Sequence, residues 1–157
     1  MQTSFYTSGF LYSPKTHQIL LLKSQKGDTS LWSMLGGDSL EGEEALAAFQ
    51  RIINKSLNIN LKPKDIYPVY DYFHITRNKL NFVFYAEVKS TKKFNGLKKG
   101  NLSWLTFSET LKLPFTAQTK QDIVVGERVI NARLRDIEAK KLQISVGVSG
   151  QKQFVPR

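Results

Sequence analysis

The apolar positions of this chain fall into blocks of two different periods. Residues 4–12 and 18–23 are short apolar-rich runs, and Ser13-Pro14-Lys15-Thr16 between them supplies hairpin-loop chemistry, which predicts two paired strands. A polar loop at 24–29 leads into 31–35 and then Gly36-Gly37. From Glu43 to about Leu57 the period changes. Ala45, Ala48, Phe49, Ile52 and Ile53 recur at i, i+3, i+4, i+7 and i+8, the spacing of one apolar helix face. Glu43 and Glu44 fall in the first turn of that expected helix, where acidic groups complement its dipole.

After Pro63 the pattern returns to extended structure. Residues 66–75 and 79–89 are rich in Tyr, Phe and Val, with a turn expected at 76–78. A lysine-rich stretch follows, then a short strand at 102–107 and a bend at Leu113-Pro114-Phe115. A second helix is expected over 119–142, with Ile123, Ile130, Leu134 and Ile137 on one face. Gly126 in its interior counts against it by roughly 1 kcal/mol relative to alanine. Residues 145–157 are polar and contain glycine, compatible with a strand, an arm or disorder. Strands around two helices indicate an α/β or α+β sandwich whose topology the pattern leaves open. The organisation expected is one domain over 1–142 and a tail over 143–157.

Composition narrows the class. The 157 residues suffice for one packed core, and 41% hydrophobic with 23% charged residues is ordinary for a globular chain. There is no cysteine, which excludes disulfides and thiolate metal sites. The start, MQTSFYTSGF, has neither a basic nor an apolar leader region, and the aliphatic run 19–22 is too short to span a bilayer. A cytoplasmic protein without a membrane partner is therefore expected. Lys and Arg outnumber Asp and Glu by 23 to 13, a net charge of +10, which favours anionic partners or simply keeps the surface solvated.

The chemistry concentrates in residues 36–59. Gly36-Gly37-Asp38-Ser39-Leu40-Glu41-Gly42-Glu43 leads from a strand into the first helix, and Arg51 follows on that helix. Paired glycines allow a sharp turn and leave room for a ligand or metal beside the backbone. This layout resembles the Nudix (MutT-like) family, whose box reads G-x5-E-x7-R-E-U-x-E-E-x-G-U, with U a bulky aliphatic residue. Gly37 fits the first glycine, Glu43 the first glutamate, Arg51 the arginine, and Ile53 and Ile59 the aliphatic positions. Leu31-Trp32-Ser33-Met34-Leu35-Gly36-Gly37 is similar to the family's approach to the box. Leu102-Ser103-Trp104-Leu105-Thr106, Glu109 and Leu113-Pro114-Phe115 resemble its closing strand and turn. The resemblance covers about residues 4–137. It implies an α/β/α sandwich with a mixed sheet between helices, and a reaction in which Mg²⁺ or Mn²⁺ assists attack of water on a nucleoside diphosphate linked to another group.

The box departs from the family where its metal ligands belong. The three glutamates of R-E-U-x-E-E sit at i, i+3 and i+4 on one helix face, where carboxylates hold Mg²⁺ and activate water. Ile52, Lys55 and Ser56 occupy those positions here, so the formal charge across them goes from −3 to +1. An isoleucine offers no ligand. An ammonium 4 Å from a unit charge interacts by roughly 4 kcal/mol at an effective dielectric near 20, here as repulsion of the ion. The family glycine at the helix end is Asn58, a residue that tolerates the left-handed cap conformation. Glu43 and Glu44 remain as catalytic or metal-binding candidates, or as helix-end electrostatics. Arg51 pairs with Glu43 or a loop carbonyl in the structural reading. Lys55 neutralises a phosphate directly, or is a solvated lysine.

Other groups carry less. His17 and His74 lack metal-ligand spacing, and Ser33 and Ser56 lack an identifiable base. Tyr72-Phe73-His74-Ile75-Thr76-Arg77 places aromatic, imidazole and guanidinium groups near a strand end, suited to a nucleotide or to core packing. Basic residues at 89–99 and 128–141 raise a nucleic-acid alternative, but no RNA- or DNA-binding signature accompanies them.

The expectation is thus a Nudix-fold protein with hydrolysis lost or impaired and binding of a nucleotide or phosphorylated small molecule retained. Gly36, Gly37, Arg51, Lys55 and Arg77 are its candidate ligand residues, with no metal required. The enzyme alternative is a hydrolase that binds Mg²⁺ or Mn²⁺ through Glu43, Glu44 and a carboxylate from elsewhere, such as Asp71, Glu87 or Glu109. A third alternative is a basic RNA- or protein-binding adaptor. The resemblance also allows a homodimer, and assigns ligand selection to loops at 24–29 and 91–100.

Overall fold

The computed structural model describes residues 4–24, 31–94 and 100–150, with side chains described to 144. Parts of the loops at 24–29 and 91–100, expected to select a ligand, and the tail beyond 150 lie outside the described residues. The chain divides into two compact units, Met1–Gly126 and Glu127–Arg157. The second, as far as it is described, is helical.

In the first unit the alternating apolar runs become strands β1 (Tyr6–Ser13) and β2 (Gln18–Ser24), joined by a turn that puts His17 at φ 56°. Two short strands follow, β3 (Trp32–Ser33) and β4 (Leu35–Asp38), then helix α1 (Ala45–Leu57). A single 3₁₀ turn at Pro63–Asp65 leads into β5 (Ile66–His74), β6 (Lys79–Glu87) and β7 (Gly100–Thr106). A one-turn helix α2 (Phe107–Thr110) precedes the long α3 (Ala117–Gly150). The seven strands form one mixed sheet in the order β3-β2-β1-β6-β5, with β4 also paired to β1 and β7 to β2. β1 and β6 run parallel, from Tyr6 opposite Asn81 to Tyr12 opposite Glu87, and every other pairing is antiparallel.

The pleat sends alternate β1 residues to opposite faces. Leu11 joins Phe49, Ile53, Phe84 and Ala86 in the core beneath α1, with the Phe49 and Phe84 rings 5.3 Å apart. Phe10 and Tyr12 point the other way and pack with Tyr85 and Phe107. Gly126 meets this second layer. A Cβ built there would lie 2.9 Å from the Phe10 ring, so the glycine that weakens α3 is the one that lets the helix approach the sheet.

Three local expectations change. Gly36 and Gly37 do not turn the chain; they lie in β4, opposite Ser8 and Thr7 of β1. A Cβ at Gly36 would press on Thr7 O and the Tyr6 ring, so close strand approach selects glycine, and the chain turns at Gly42, φ 81°. Glu43 and Glu44 precede α1 instead of occupying its first turn, because that turn delays the helix start to Ala45. α3 begins at Ala117, after Thr116 Oγ1 accepts a hydrogen bond from Thr119 N, and continues to Gly150, past the expected end at 142. The α1 C-cap, Asn58, adopts the left-handed conformation (φ 54°, ψ 51°) the sequence called for.

Candidate functional site

The segment from β4 to α1 is closed on itself. Arg51 Nε donates to Glu43 Oε2 at 2.7 Å, and Nη2 donates to Glu43 Oε1 and to Asp38 O, both at 3.0 Å. Glu43 Oε1 also accepts from Leu40 N at 2.7 Å. Hydrogen bonding from Arg51, assisted by that from Leu40, holds the Glu43 carboxyl below its ordinary pKa despite some desolvation. Both oxygens of Glu43 are committed to tying the loop to the helix. Glu44 is exposed at the N-cap and makes no side-chain capping bond.

Ile52 is buried, and its Cδ1 lies 3.1 Å from where a Gly37 Cβ would stand. The space beside the Gly37 backbone is therefore filled by hydrocarbon. Lys55 and Ser56, one turn further along α1, are exposed. Among the described residues, no group of three or more acidic or histidine side chains is gathered in a way that suits a metal ion. The carboxylates considered as substitutes lie apart from one another. Glu87 pairs with Tyr12, five β1 residues from Thr7, the partner of Gly37, so about 17 Å along the strand. Glu109 is occupied in the α2 capping box, accepting from Thr106 N at 2.9 Å. Asp71 is exposed on β5. The donor set at this helix does not fit Mg²⁺, which needs several oxygen ligands in near-octahedral geometry.

A different cluster is built on the opposite face of the sheet. Ser8 shares the face of Phe10, towards α3, and lines a small polar pocket of about 50 Å³ with Tyr6, Tyr72, His74, Arg77 and Asp122. Asp122 is 2% exposed and accepts from Tyr70 Oη at 2.6 Å, Tyr72 Oη at 2.9 Å and Gln118 Nε2 at 3.0 Å. Tyr72 Oη in turn accepts from Asn81 Nδ2 at 2.8 Å, and Asn81 Nδ2 also donates to Ser8 Oγ at 3.1 Å. Burial raises the Asp122 pKa, and the hydrogen bonds from Tyr70, Gln118 and Tyr72 oppose the shift. Desolvation and the neighbouring carboxylate push both tyrosines well above the ordinary phenol range. At the rim the exposed Arg77 guanidinium stacks 3.6 Å from the Tyr6 ring centre. The pocket thus has a fixed, acceptor-rich floor and a cationic, aromatic rim.

Of the sequence candidates, Arg51 sits in the loop clasp, Gly36 and Gly37 in the strand between the two faces, and Arg77 at the polar pocket. Lys55 does not line that pocket. Asp122 was not anticipated. The available signal was its position four residues before Gly126, which puts an acidic side chain on the sheet-facing side of α3.

The mixed sheet, the loop-and-helix clasp and the closing helix define a Nudix fold. Solved structures bear this out. The chain aligns with a MutT/nudix family protein from Listeria innocua at TM-score 0.68 and 19% identity, over 85% of this chain and 98% of that one. It aligns with the NUDIX domain of Shewanella oneidensis NrtR, solved with ADP ribose, at TM-score 0.64 and 13% identity, over 83% and 90%. A MutT/nudix family protein from Enterococcus faecalis aligns at TM-score 0.53 and 13% identity over 66% of this chain, which spans only 44% of that one. No protein-family model and no curated protein sequence matches the chain.

Proposed function

We propose that this Nudix-fold chain binds a nucleotide-like or phosphorylated small molecule and does not carry out metal-dependent pyrophosphate hydrolysis. The observation behind the loss of hydrolysis is Ile52 packed over Gly37, beside a Glu43 whose oxygens are held by Arg51 and Leu40. Catalysis by the family's chemistry needs carboxylates at that place, and an aliphatic group, an ammonium and a hydroxyl stand there instead. The mouth of the polar pocket supports the binding reading; at about 50 Å³ the pocket itself admits only a small group, so a nucleotide would lie across its rim. Its rim offers Arg77 and the Tyr6 ring to an anion and a planar ring, and its floor offers the Asp122 network to hydrogen-bond donors. The net charge of +10 favours approach of an anion. NrtR's NUDIX domain takes ADP ribose, which makes nucleotide diphosphates and their sugar conjugates the first ligands to try.

The test combines calorimetric titration with such ligands, in EDTA and in Mg²⁺, and phosphate release from a nucleoside-diphosphate panel with Mg²⁺ or Mn²⁺. Binding that persists in EDTA, without turnover, is expected. Divalent-dependent turnover abolished by Glu43→Gln/Glu44→Gln would overturn the loss of catalysis.

A further inference from the structure

Two roomier cavities of the first unit lie away from the polar pocket. They adjoin, measure about 290 Å³ each and share Asp65, Glu87, Val88 and Lys89. They open where Tyr12 pairs with Glu87, about 20 Å along β1 from Tyr6. One lobe is walled by Ile59, Leu61 and Phe94, which pack against the α1 core, with Lys92 at its edge. The other is walled by Pro14 and Lys15. The half-buried carboxylates of Asp65 and Glu87 stand at the junction, and Lys15, Lys89 and Lys92 are exposed around it.

This arrangement is segregated in a way a plain anion site is not. Paired carboxylates at the centre repel phosphate, and no group of three acidic or histidine residues suited to a metal is found among the described residues. A ligand matched to all three features carries an ammonium for the junction, a carboxylate for the lysines and an apolar group for the Ile59–Leu61–Phe94 wall. We propose that this groove binds a free α-amino acid with an apolar side chain, independently of the nucleotide reading. Asp65, which lines both lobes at their junction, carries the ammonium contact. The α-carboxylate lies against Lys89, which lines both lobes. Volume suits the assignment: each lobe sits at the small end of the range typical for small-molecule pockets.

The experiment is a ¹H–¹⁵N correlation titration of the full chain with L-leucine to millimolar concentrations, with N-acetyl-L-leucine and L-leucinamide alongside. Saturable shifts are expected at the amides of Ile59, Asp65, Val88, Lys89 and Phe94. Removing either ligand charge should weaken binding roughly tenfold or more, the scale of one charge-assisted hydrogen bond. Asp65→Asn should weaken L-leucine to a similar degree while its remaining spectrum stays wild-type. If that variant misfolds, the two analogues make the same test on the wild-type chain. Absence of saturable shifts, or N-acetyl-L-leucine binding as tightly as leucine, would overturn the proposal. Nucleotide titration of the same sample reports separately, because its expected shifts fall at Tyr6, Arg77 and Asp122.

Discussion

Arg51 and Glu43 are joined by two hydrogen bonds, at 2.7 and 3.0 Å, and through Arg51 the carbonyl of Asp38 at the end of β4 is tied to α1. With 32% and 17% of the two side chains exposed, the pair is partly screened by solvent. Arg51→Ala should therefore cost about 1–2 kcal/mol, below the full value of buried charge-assisted bonds. Urea midpoints at unchanged m-value measure it. The pH dependence follows from the lowered Glu43 pKa. The contribution is complete above the unfolded carboxylate value, about 4.3, and is lost as pH falls through the lower folded value. The gap between wild type and Arg51→Ala should be constant near neutrality and close in acid. A gap that persists at the lowest pH would assign the cost to packing.

Asp122 has the opposite sign. Its folded pKa is raised by burial, so the native state binds its proton more tightly than the unfolded chain does. Ionisation above about pH 3.9, the ordinary aspartate value, progressively reduces the stability this residue contributes. Asp122→Asn carries two amide hydrogens where the protonated acid carries one, and the extra donor faces the Tyr70 and Tyr72 hydroxyls, a loss of about 1–3 kcal/mol. Because the asparagine does not ionise, the gap to wild type should narrow as pH rises from 4 to 7. Thermal unfolding of both proteins across that range checks it, and a widening gap would contradict the burial argument.

Gly126→Ala sets two known magnitudes against each other. Alanine improves helix propensity by about 1 kcal/mol. The added Cβ would stand 2.9 Å from the Phe10 ring, which is buried and boxed in by Tyr85 and Phe107, and overpacking of this kind costs about 1–3 kcal/mol. Net destabilisation is expected, read as a lower melting temperature. A higher one would mean that Phe10 moves aside at little cost.

These cases show what the residue pattern carried and where it stopped. Periodicity located the hairpins and both long helices, because apolar spacing reports which face each element buries. The choice for Arg51 between Glu43 and a loop carbonyl was legible because a short loop limits what one helical side chain can reach; the structure uses both, the carbonyl being that of Asp38. The strand character of Gly36-Gly37 was hidden, since glycine reads as a turn unless its neighbour across the sheet is known, and that neighbour, Ser8, lies far back in the chain. Asp122 was hidden because Tyr70 and Tyr72 meet it only across some fifty residues. Lys55 was legible as a cation on α1, but its sequence position did not show that the polar pocket lies on the other face of the sheet.

Rebuilding the carboxylates tests the reading of the box directly. Ile52→Glu/Lys55→Glu/Ser56→Glu moves the charge at these positions back to −3 and should create Mn²⁺ affinity detectable by electron paramagnetic resonance. Without metal the variant should lose about 2–4 kcal/mol, because Ile52 is buried against Gly37 and a carboxylate there is desolvated. Saturating Mn²⁺ should recover part of that loss, since a ligand bound only by the native state stabilises it. A folded triple variant without Mn²⁺ affinity would show that these three positions do not converge on an ion.

Arg77 and Lys55 separate two places where a phosphate can be neutralised. Arg77 stacks on Tyr6 at the mouth of the polar pocket, while Lys55 stands exposed on α1 and does not line it. A guanidinium on an aromatic face meets phosphate with its donors already oriented, whereas an exposed lysine meets it as a mobile, hydrated charge. Arg77→Ala should therefore weaken a nucleotide diphosphate by roughly tenfold, one charge-assisted contact. Lys55→Ala should change affinity by no more than about twofold beyond the general loss of one positive charge, and raising the salt should remove that difference. Calorimetric titration at two ionic strengths distinguishes them. A larger, salt-resistant loss at Lys55 would move the phosphate site from the pocket rim to the face of α1.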